Sequence, residues 1–371
     1  MKVCIVAPVH DWDDVRVFKK QAISISEFGH AVTLIANKPS DIQEYVQGIK
    51  IIRSLNVSNF RVFRFLLLPL VACQAIIQNA DVYHLHNPDT IPIAIILKLL
   101  GKYVIYDTHE DFSKRILARD WVPSYLRPML AKFVSKLESI IGSLANISIG
   151  TQESVVSRLG DKAVLIGNAP RVSEDLISKV EAIEIEKSSI ECTRLIYVGS
   201  ISENRGVFYM IDALNILNKS KPFRLWLIGP ISGKLLNIIS KRSGWEYVDY
   251  HPKMEQETAF SYINNSDIGL IYIKDVGDHK NSDPNKIYEY MTFGVPFIAS
   301  KFDSWVDKLE CLEAGWFIEN DNVQLFAKTI INYSANASEL ERRGANGRRY
   351  VSKYNWNQEV KKLHDIYNNL Y

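Results

Sequence analysis

The stretch that decides the fold of this chain most clearly is Ser282–Ser300, which reads SDPNKIYEYMTFGVPFIAS. Its pattern predicts a loop, a short helix and a buried strand. Asp283 is a typical N-cap, Pro284 suits the first helical position, and Gly294 suits the position just after the helix. The apolar run Val295–Ala299 then predicts a strand. A capped helix followed by a buried strand is typical of an α/β protein.

Glu289 lies about two turns into this predicted helix, and Asn285 lies one turn before it on the same face. A carboxylate accepts two hydroxyl hydrogen bonds side by side, as a vicinal diol offers. The free N–H groups at the helix start suit an anion such as phosphate. Two interpretations are open at this point. One is a sugar-nucleotide site with the diol on Glu289, and the other is a capped surface helix with a solvated glutamate.

The length and charge of the chain limit its class. A chain of 371 residues exceeds one ordinary hydrophobic core and predicts two domains. The net charge of +2 gives no overall field that favours nucleic acid. Between Lys50 and Lys136, however, twelve Lys and Arg residues stand against six Asp and Glu. A basic face beside apolar helices can dock on anionic lipid, and an ordinary solvated surface explains the same surplus.

The cysteines and the apolar runs indicate a cytoplasmic location. The four cysteines are widely spread without a CxxC pair, which favours reduced thiols over a disulfide framework. The chain begins with the predicted strand Lys2–Ala7, so we expect no signal peptide. The most apolar run, Phe65–Cys73, is interrupted by Pro69 and is too short to cross a bilayer. It predicts a core helix or a helix at a membrane surface.

Strands and helices alternate through the first half of the chain. The predicted strands are Val3–Pro8, Ala31–Ala36, Lys50–Arg53, Asp81–His86, Lys102–Tyr106 and Ile147–Gly150. The predicted helices are Val15–Phe28, Phe60–Gln78, Ile91–Leu100 and Pro123–Leu144. A charged stretch without periodicity, Arg171–Glu191, predicts an irregular linker after this half.

The alternation then starts afresh. The predicted strands are Arg194–Val198, Phe223–Ile228, Trp245–Tyr250 and Ile268–Tyr272. The predicted helices are Val207–Asn218, Ser232–Ser243, Gln256–Asn264 and Asn322–Asn332, with a helical C-terminal region from Ala337 to Tyr371.

Two such runs predict two Rossmann-like domains, each a doubly wound parallel sheet covered by helices on both faces. We expect the first domain to span residues 1–170 and the second 171–354, with the C-terminal helix, about 355–371, returning to the first domain. Ligands of such folds lie at the carboxyl ends of the strands. The expected site is therefore a cleft between the two domains.

The segment after the first strand, His10–Arg16, reads HDWDDVR and contains no glycine. A nicotinamide or flavin enzyme would need G-x-G-x-x-G there, so the segment argues against that class. Asp14 is the predicted N-cap of the next helix. Further on, His84 and His86 alternate onto one face of a strand and resemble a metal pair. No third ligand stands at a telling spacing, so we predict no metal site.

A second polar cluster, Asp107–Asp111, reads DTHED and follows another predicted strand. Its carboxylates, hydroxyl and imidazole are groups that hydrogen-bond sugar hydroxyls. This composition favours a functional loop, and a solvated loop is the alternative.

The second half has its own polar strand ends. Gly199 would let a ligand approach the backbone, and Arg205 could grip a diphosphate in bidentate fashion. A plain strand-to-helix loop is the alternative. Gly229–Pro230 and His251–Met254 end the next two strands and suit the walls of a nucleobase site.

Three stretches together resemble the retaining glycosyltransferases of the GT-B fold, family four, over nearly the whole chain. They are Pro284–Pro296, His30–Ala36 and Val104–Asp111, of which the last also resembles a bacterial branch that builds surface polysaccharides. The resemblance implies transfer of a hexosyl or N-acetylhexosaminyl group from a UDP- or GDP-linked sugar to an acceptor hydroxyl. It implies retention of anomeric configuration and no need for a metal or another cofactor.

The resemblance is incomplete at the donor motifs. The family's E-x7-E motif is matched at its second member by Glu289, which would hold the ribose hydroxyls, whereas Asn281 stands at the first. Ser200 stands at the position of a family arginine, and Arg205 at or beside that of a lysine. Lys286 is the cation that would compensate.

The resemblance also implies how the substrates are divided. The donor would bind mainly to the second domain and the acceptor mainly to the first, and domain closure would exclude water. His109 matches a histidine that lies near the reacting sugar in relatives. The predicted catalytic residues are His109, Arg205, Lys286 and Glu289. The predicted donor-binding residues are Gly199, Ser200, Arg205, Gly229, Pro252, Lys253, Asn281, Ser282, Asn285, Lys286 and Glu289. The predicted acceptor-binding residues are His10, Arg16, His86, Asp107 and Glu110.

Two other functions stay open. One is a nucleotide-sugar 2-epimerase of the same architecture, and the other is a non-catalytic nucleotide-sugar-binding partner of another transferase. The changes at Asn281 and Ser200 keep the second of these open. The predicted partners are a nucleotide-sugar donor and a lipid-linked or oligosaccharide acceptor in capsule, O-antigen or exopolysaccharide synthesis. Peripheral contact with the inner membrane leaflet is also predicted, and nucleic acid is not.

Overall fold

The computed structural model describes residues 1–370 except 56–65, 110, 118, 120–121, 187–190, 277–278, 282–284 and 320–321. The chain forms two compact units. Unit 1 comprises Met1–Asn168 together with Trp356–Tyr371, and unit 2 comprises Ala169–Asn355. Each unit contains one sheet with helices packed against it, so the predicted α/β class with two parallel-sheet domains is confirmed.

The sheet of unit 1 has eight strands in the order β3-β4-β2-β1-β5-β6-β7-β8. The strands are β1 Lys2–Asp11, β2 Ala31–Asn37, β3 Tyr45–Val46, β4 Ile49–Arg53, β5 Val82–His86, β6 Tyr103–Thr108, β7 Ile147–Gly150 and β8 Ala163–Leu165. All pairs are parallel except β3 with β4. The central β1 is buried from Val3 to Ala7, which is why it reads as a continuous apolar run.

Helices cover both faces of this sheet. They are α1 Ile23–Glu27, α2 Leu68–Ile77, α3 Ile91–Leu99, α4 Phe112–Leu117, α5 Arg127–Leu144 and α6 Glu153–Leu159. The C-terminal helix, Trp356–Asn368, also belongs to unit 1, where Leu363 and Tyr367 are fully buried. Its Trp356 indole donates a 3.0 Å hydrogen bond to Ser24. The predicted return of the C-terminal helix to the first domain is therefore confirmed.

The helix predicted over Val15–Phe28 begins as a π-helix and not as an α-helix. Val15–Ala22 is wound as a π-helix, in which the Asp14 carbonyl accepts from the Lys19 amide at 3.1 Å, and α1 continues it. The predicted N-cap is confirmed, because the Asp14 carboxylate accepts from the amides of Arg16 and Val17, both at 2.9 Å. A π-turn is rare and is frequently found at functional sites.

The sheet of unit 2 has six parallel strands in the order β11-β10-β9-β12-β13-β14. The strands are β9 Thr193–Val198, β10 Phe223–Ile228, β11 Val248–His251, β12 Ile268–Ile271, β13 Phe297–Ser300 and β14 Gly315–Ile318. This is the doubly wound order, in which the direction of winding changes between the first and fourth strands. Here that point lies between β9 and β12.

The helices of unit 2 follow these strands. They are α7 Glu174–Glu181, α8 Val207–Leu217, α9 Gly233–Ile239, α10 Gln256–Asn264, α11 Asn285–Thr292, α12 Asp303–Leu309, α13 Val323–Ser334 and α14 Ala337–Lys353. Gly294 has a φ of +68° just after α11, as predicted for a left-handed helix end. Asp283 and Pro284, the predicted start of that helix, lie outside the described residues.

Some predictions of local structure were wrong or incomplete. The linker predicted to be irregular contains α7, whose Ser173 caps the Leu176 amide at 3.1 Å and whose Val180 is buried. β14 and α12 were not predicted at all. The strand predicted over Trp245–Tyr250 is a 3-10 turn as far as Tyr247. These segments are short, so that local periodicity identifies them poorly.

Candidate functional site

Both units place polar residues where the winding of the sheet changes direction. In unit 2 this point is the gap between the carboxyl ends of β9 and β12, and in unit 1 it lies between β1 and β5. The helices that follow the two neighbouring strands leave toward opposite faces there, which opens a crevice for ligands.

Two glycines shape the strand ends in unit 2. Gly199 follows β9 with a φ of +133°, and Gly229 follows β10 with a φ of +141°. A Cβ on Gly229 would lie 2.1 Å from the carbonyl oxygen of Gly199. The two loops therefore pack backbone against backbone, and neither position accepts a side chain without strain.

Lys286, on the first turn of α11, meets this glycine loop. A Cβ on Gly199 would lie 2.6 Å from both the Cε and the Nζ of Lys286. The same ammonium lies 5.7 Å from the centre of the Tyr197 ring. Burial lowers the pKa of the Lys286 amine, while the nearby charge of Glu289 raises it and that of Arg205 lowers it further.

Arg205 and Glu289 belong to the same group of charges. Burial raises the pKa of the Tyr197 hydroxyl to about 12, with Arg205 acting against this rise and Glu289 adding to it. Arg205 directly precedes Gly206, whose backbone packs closely against Tyr272: a Cβ on Gly206 would lie 1.9 Å from the carbonyl oxygen of Tyr272. Two cations and one carboxylate thus lie near the end of β9, with Lys286 directly against Gly199. This set suits a diphosphate beside a diol.

The other predicted donor-binding residues have their own local environments. Asn285 has a buried Oδ1 without a hydrogen-bond partner among the described residues. Ser200 is exposed, and its carbonyl accepts the Tyr197 hydroxyl at 2.9 Å. Gly229 donates its amide to the His251 carbonyl at 3.0 Å, next to the exposed Pro252 and Lys253. Asn281 is exposed at the end of a 3-10 turn, and Ser282 lies outside the described residues.

Unit 1 brings three histidines together. His10 is the penultimate residue of β1, His86 ends β5, and His109 follows β6. The ring centres of His10 and His109 lie 5.1 Å apart, and those of His10 and His86 lie 6.3 Å apart. The sequence placed these residues at three strand ends, and the structure shows that they meet. Glu110, the remaining predicted neighbour, lies outside the described residues.

A buried ion pair between Arg16 and Asp107 lies next to these rings. Asp107 is fully buried and accepts from the Arg16 guanidinium at 3.1 Å and from the Gln21 amide at 2.6 Å. Burial alone would raise the pKa of the Asp107 carboxyl, but Arg16 and two histidines hold it well below its usual value. Arg16 and Asp107 therefore form an ion pair in which each neutralises the charge of the other. Their role as acceptor ligands stays a prediction.

Two of the histidines are neutral hydrogen-bonding groups. Burial and neighbouring positive charges lower the pKa of His109 to about 3, and burial holds the pKa of His86 well below its usual value. Both ring nitrogens of His86 and the Nδ1 of His109 have no hydrogen-bond partner among the described residues. Unpaired buried nitrogens are costly unless a ligand or water satisfies them.

Asn87 completes this group and was missed in the sequence. It is buried with a φ of +69°, its amide nitrogen lies 2.5 Å from His10 Nε2, and its Oδ1 has no partner among the described residues. His10 in turn lies 3.1 Å from Asp14, whose carboxylate outweighs burial and raises the His10 pKa. A non-glycine residue at this φ marks local strain, which clusters at functional sites. The only sequence signal was an Asn-Pro pair after a strand.

The donor atoms of His86, Asp107 and His109 lie within 4.8 Å of one another, a grouping that the spacing analysis did not predict. Nitrogen and carboxylate donors are suitable metal ligands. However, the carboxylate of Asp107 already carries the Arg16 guanidinium, and a second cation on it would be repelled. The group fits hydroxyl hydrogen bonding better than metal ligation.

A second buried network lies next to His109 and was also missed. Arg158 bridges Asp111 at 3.1 Å and Glu138 at 2.9 Å. Glu138 also accepts from the Thr108 hydroxyl at 3.3 Å, and burial raises its pKa to about 7. This network fixes the chain on both sides of His109. Its members come from β6, α5 and α6, and no local pattern joins them.

Comparisons with known proteins agree with this architecture. Residues 192–336 match the model of the family described as Glycosyl transferases group 1. This match covers the strands and helices that carry the glycine, Arg205 and Lys286 group. No curated protein matches the chain in sequence.

Solved structures share the fold at low identity. Sucrose-phosphate synthase from Thermosynechococcus elongatus is 15% identical with a TM-score of 0.76, covering 100% of this chain and 98% of that one. WaaG, a glycosyltransferase involved in lipopolysaccharide biosynthesis, is 13% identical with a TM-score of 0.73, covering 98% and 99%. Anabaena HepE in complex with UDP and glucose is 14% identical with a TM-score of 0.69, covering 100% of both chains. Together with the family match, these findings support a glycosyltransferase of the GT-B type.

Proposed function

We propose that the protein is a retaining glycosyltransferase that moves a sugar from a nucleotide-diphosphate sugar to an acceptor hydroxyl. The observation that carries this proposal is that Lys286 lies against Gly199 at the end of β9, with Arg205 and Glu289 near enough to act on its charge. Such a group offers two cations to a diphosphate and a carboxylate to the ribose diol. The family match over residues 192–336 supports the same assignment.

In the proposed reaction, the diphosphate of the donor lies against Gly199 and the start of α11, where free amides favour an anion. Arg205 and Lys286 stabilise the negative charge that develops on the leaving diphosphate. Glu289 orients the donor through its ribose hydroxyls and takes no proton. The leaving phosphate itself assists removal of the acceptor proton, so the mechanism needs no protein nucleophile and no metal.

The histidine group of unit 1 supplies hydrogen bonds to sugar hydroxyls. His86, His109 and Asn87 carry buried polar atoms without partners among the described residues, which is the chemistry that a polyhydroxylated ligand satisfies. We assign His109 to the reacting sugar, and His10 and His86 to the acceptor. Arg16 and Asp107, which pair with each other beside these rings, belong to the same proposed acceptor site.

The acceptor that we propose is a lipid-linked or growing glycan of bacterial surface-polysaccharide synthesis, met at the inner face of the plasma membrane. The basic surplus between Lys50 and Lys136 supports a location near anionic lipid. Among the residues that the structure describes, no helix combines the length and the apolar composition needed to cross a membrane. HepE was solved with UDP and glucose, which makes a UDP-sugar the first donor to test.

The experiment has two stages. A thermal-shift screen of UDP- and GDP-sugars identifies the donor, because a ligand that binds only the folded state stabilises it. The donor is then incubated with and without glycan acceptors, and the product anomer is determined by NMR. Transfer with retained configuration supports the proposal. Conversion of the donor alone into its 2-epimer, or binding without turnover over a broad acceptor panel, would contradict it.

Glu289→Ala tests the site within that assay. We expect weaker donor binding and loss of most turnover, by about a hundredfold or more, because charge-assisted hydrogen bonds to the ribose are lost. The matched control is Glu203→Ala, which removes an exposed glutamate paired with Lys274 on the Arg205 turn. Equal kinetics for the Glu289 variant and the wild type would remove this residue from the donor site.

A further inference from the structure

Exposed apolar side chains are distributed very unevenly between the units. Among the described residues, sixteen of the large exposed hydrophobics lie in unit 1 and two in unit 2. Single exposed apolar residues need no explanation, but a concentration of them marks an interaction surface.

Much of this concentration lies on one layer of unit 1. The helices α2, α3 and α5 pack side by side and cover the same face of the sheet, burying Val71, Ala94 and Ile141 in one core cluster. On their outer sides they expose large apolar side chains. These are Leu70 and Ile77 on α2, Ile96 and Leu99 on α3, and Met129, Phe133, Ile140 and Leu144 on α5. We refer to these eight side chains as the outer apolar layer.

The exposure in this layer is large. Leu99 is 82% exposed and Ile77 is 77% exposed, while Met129 and Phe133 are 60% and 57% exposed. On α5 the apolar positions 129, 133, 140 and 144 follow helical spacing and form one stripe along the helix. The opposite side of α5 is buried in unit 1, so this helix is packed on one side and exposes the apolar stripe on the other.

The charges on the same helices have one sign at the surface. α2 carries no charged residue, and α5 exposes Lys132 and Lys136 beside the apolar stripe. The single acidic residue of the three helices, Glu138, is fully buried. Lysines beside an apolar stripe extend their ammonium groups to lipid phosphates while their stems lie along the hydrocarbon boundary.

We propose that the outer apolar layer is the surface by which the full chain lies on an anionic bilayer, with Phe133 and Met129 inserted at the headgroup boundary and Lys132 and Lys136 on the phosphates. Charge complementarity is what selects lipid as the occupant. The inference rests on the proposed peripheral membrane contact and adds the surface that makes it.

The test is sedimentation of the full chain with phosphatidylcholine vesicles, with and without phosphatidylglycerol. We expect binding only with the anionic lipid and weaker binding at high salt. Lys132→Gln with Lys136→Gln should weaken binding about 30-fold at low salt. Met129→Ser with Phe133→Ser should weaken it about tenfold or more. The matched controls in unit 2 are Lys219→Gln with Lys241→Gln, and Ile238→Ser with Leu325→Ser, all exposed positions.

Two further readouts keep the outcomes distinct. Donor binding by thermal shift should be the same in all variants, so a fault in the proposed glycosyl transfer does not alter the vesicle result. Absence of wild-type binding, equal binding to neutral vesicles, or unchanged binding by both unit 1 variants would each overturn the proposal. A wild-type dimer that the same variants dissociate, without vesicle binding, would identify the layer as a contact between copies of the chain.

Discussion

The two candidate sites hold their charges in opposite ways. In unit 1 the charges of Arg16 and Asp107 are buried and paired with each other, and the groups left for a ligand are neutral imidazoles and an amide. In unit 2 the cations Lys286 and Arg205 gather with one carboxylate around a backbone without side chains. The second arrangement suits a ligand with a fixed negative charge, and the first suits hydroxyl groups. In the proposed function, this difference assigns the nucleotide donor to unit 2 and the sugar acceptor to unit 1.

The comparison predicts that removing one charge of the Arg16–Asp107 pair lowers the folding stability of unit 1. Asp107→Asn leaves Arg16 buried without its counter-charge, and loss of one partner of a buried pair costs about 3–5 kcal/mol of folding free energy. Hydrogen exchange should rise in peptides of β1, β5 and β6, while β9 and β10 keep their protection. The matched control is Asp161→Asn, which changes an exposed aspartate of the same unit. Unchanged exchange in β6 would show that the pair has no structural role.

The buried Glu138 network predicts a pH effect of similar size. Burial raises the pKa of Glu138 from 4.5 to about 7. The folded state therefore favours the protonated acid, and its stabilising contribution is complete below about pH 4.5 and lost as pH rises through about 7. The loss is about 3 kcal/mol.

Glu138→Gln removes this titration. The free energy of unfolding of the wild type, measured in urea relative to that of the variant, should therefore fall between about pH 4.5 and 7. The control Glu153→Gln, at an exposed position on α6, should leave the pH profile unchanged. A constant difference between the Glu138 variant and the wild type across this range would mean that Glu138 is ionised throughout.

In unit 2 the same comparison predicts that removing a charge weakens ligand binding and does not lower stability. Lys286→Ala removes a cation whose burial lowers its pKa, so its loss should leave the melting temperature of the ligand-free protein unchanged or higher. Donor affinity should fall about a hundredfold, because a charge-assisted contact to phosphate is lost. Isothermal titration with the nucleoside diphosphate measures this. Lys301→Ala, at an exposed ion pair with Glu319, is the control. A strong loss of stability without a change in affinity would make Lys286 a structural residue.

The difference between the units also explains what could be predicted from the sequence. Lys286 and Glu289 lie on one helix of one motif, and local spacing places them on the same element. The doubly wound class follows from strand and helix alternation, and Gly294 and Asp14 from capping rules. These inferences depend on neighbours in sequence, where periodicity and capping are informative.

The missed features depend on residues far apart in the chain. Gln21 reaches Asp107 across 86 positions, and Arg158 joins Glu138 to Asp111 from another helix. Asn87 is placed by its backbone angle, which a sequence pattern does not reveal. The π-winding before α1 contains Arg16, whose contact with Asp107 spans 91 positions of the chain. Tertiary contacts, therefore, decide the polar interior of unit 1.

Gly199 provides the smallest expected effect and the sharpest test of the open backbone in unit 2. Its φ of +133° is unfavourable for any residue with a side chain, and a Cβ would lie 2.6 Å from the end of Lys286. Gly199→Ala should therefore displace that ammonium and weaken donor binding about tenfold, since such backbone strain costs about 1–3 kcal/mol. Gly233→Ala is the matched control, because nothing lies within 4 Å of the added methyl group and alanine suits the first turn of α9. Titration of both variants with the same nucleotide sugar separates the two cases. Wild-type affinity in Gly199→Ala would show that the donor does not approach the backbone there.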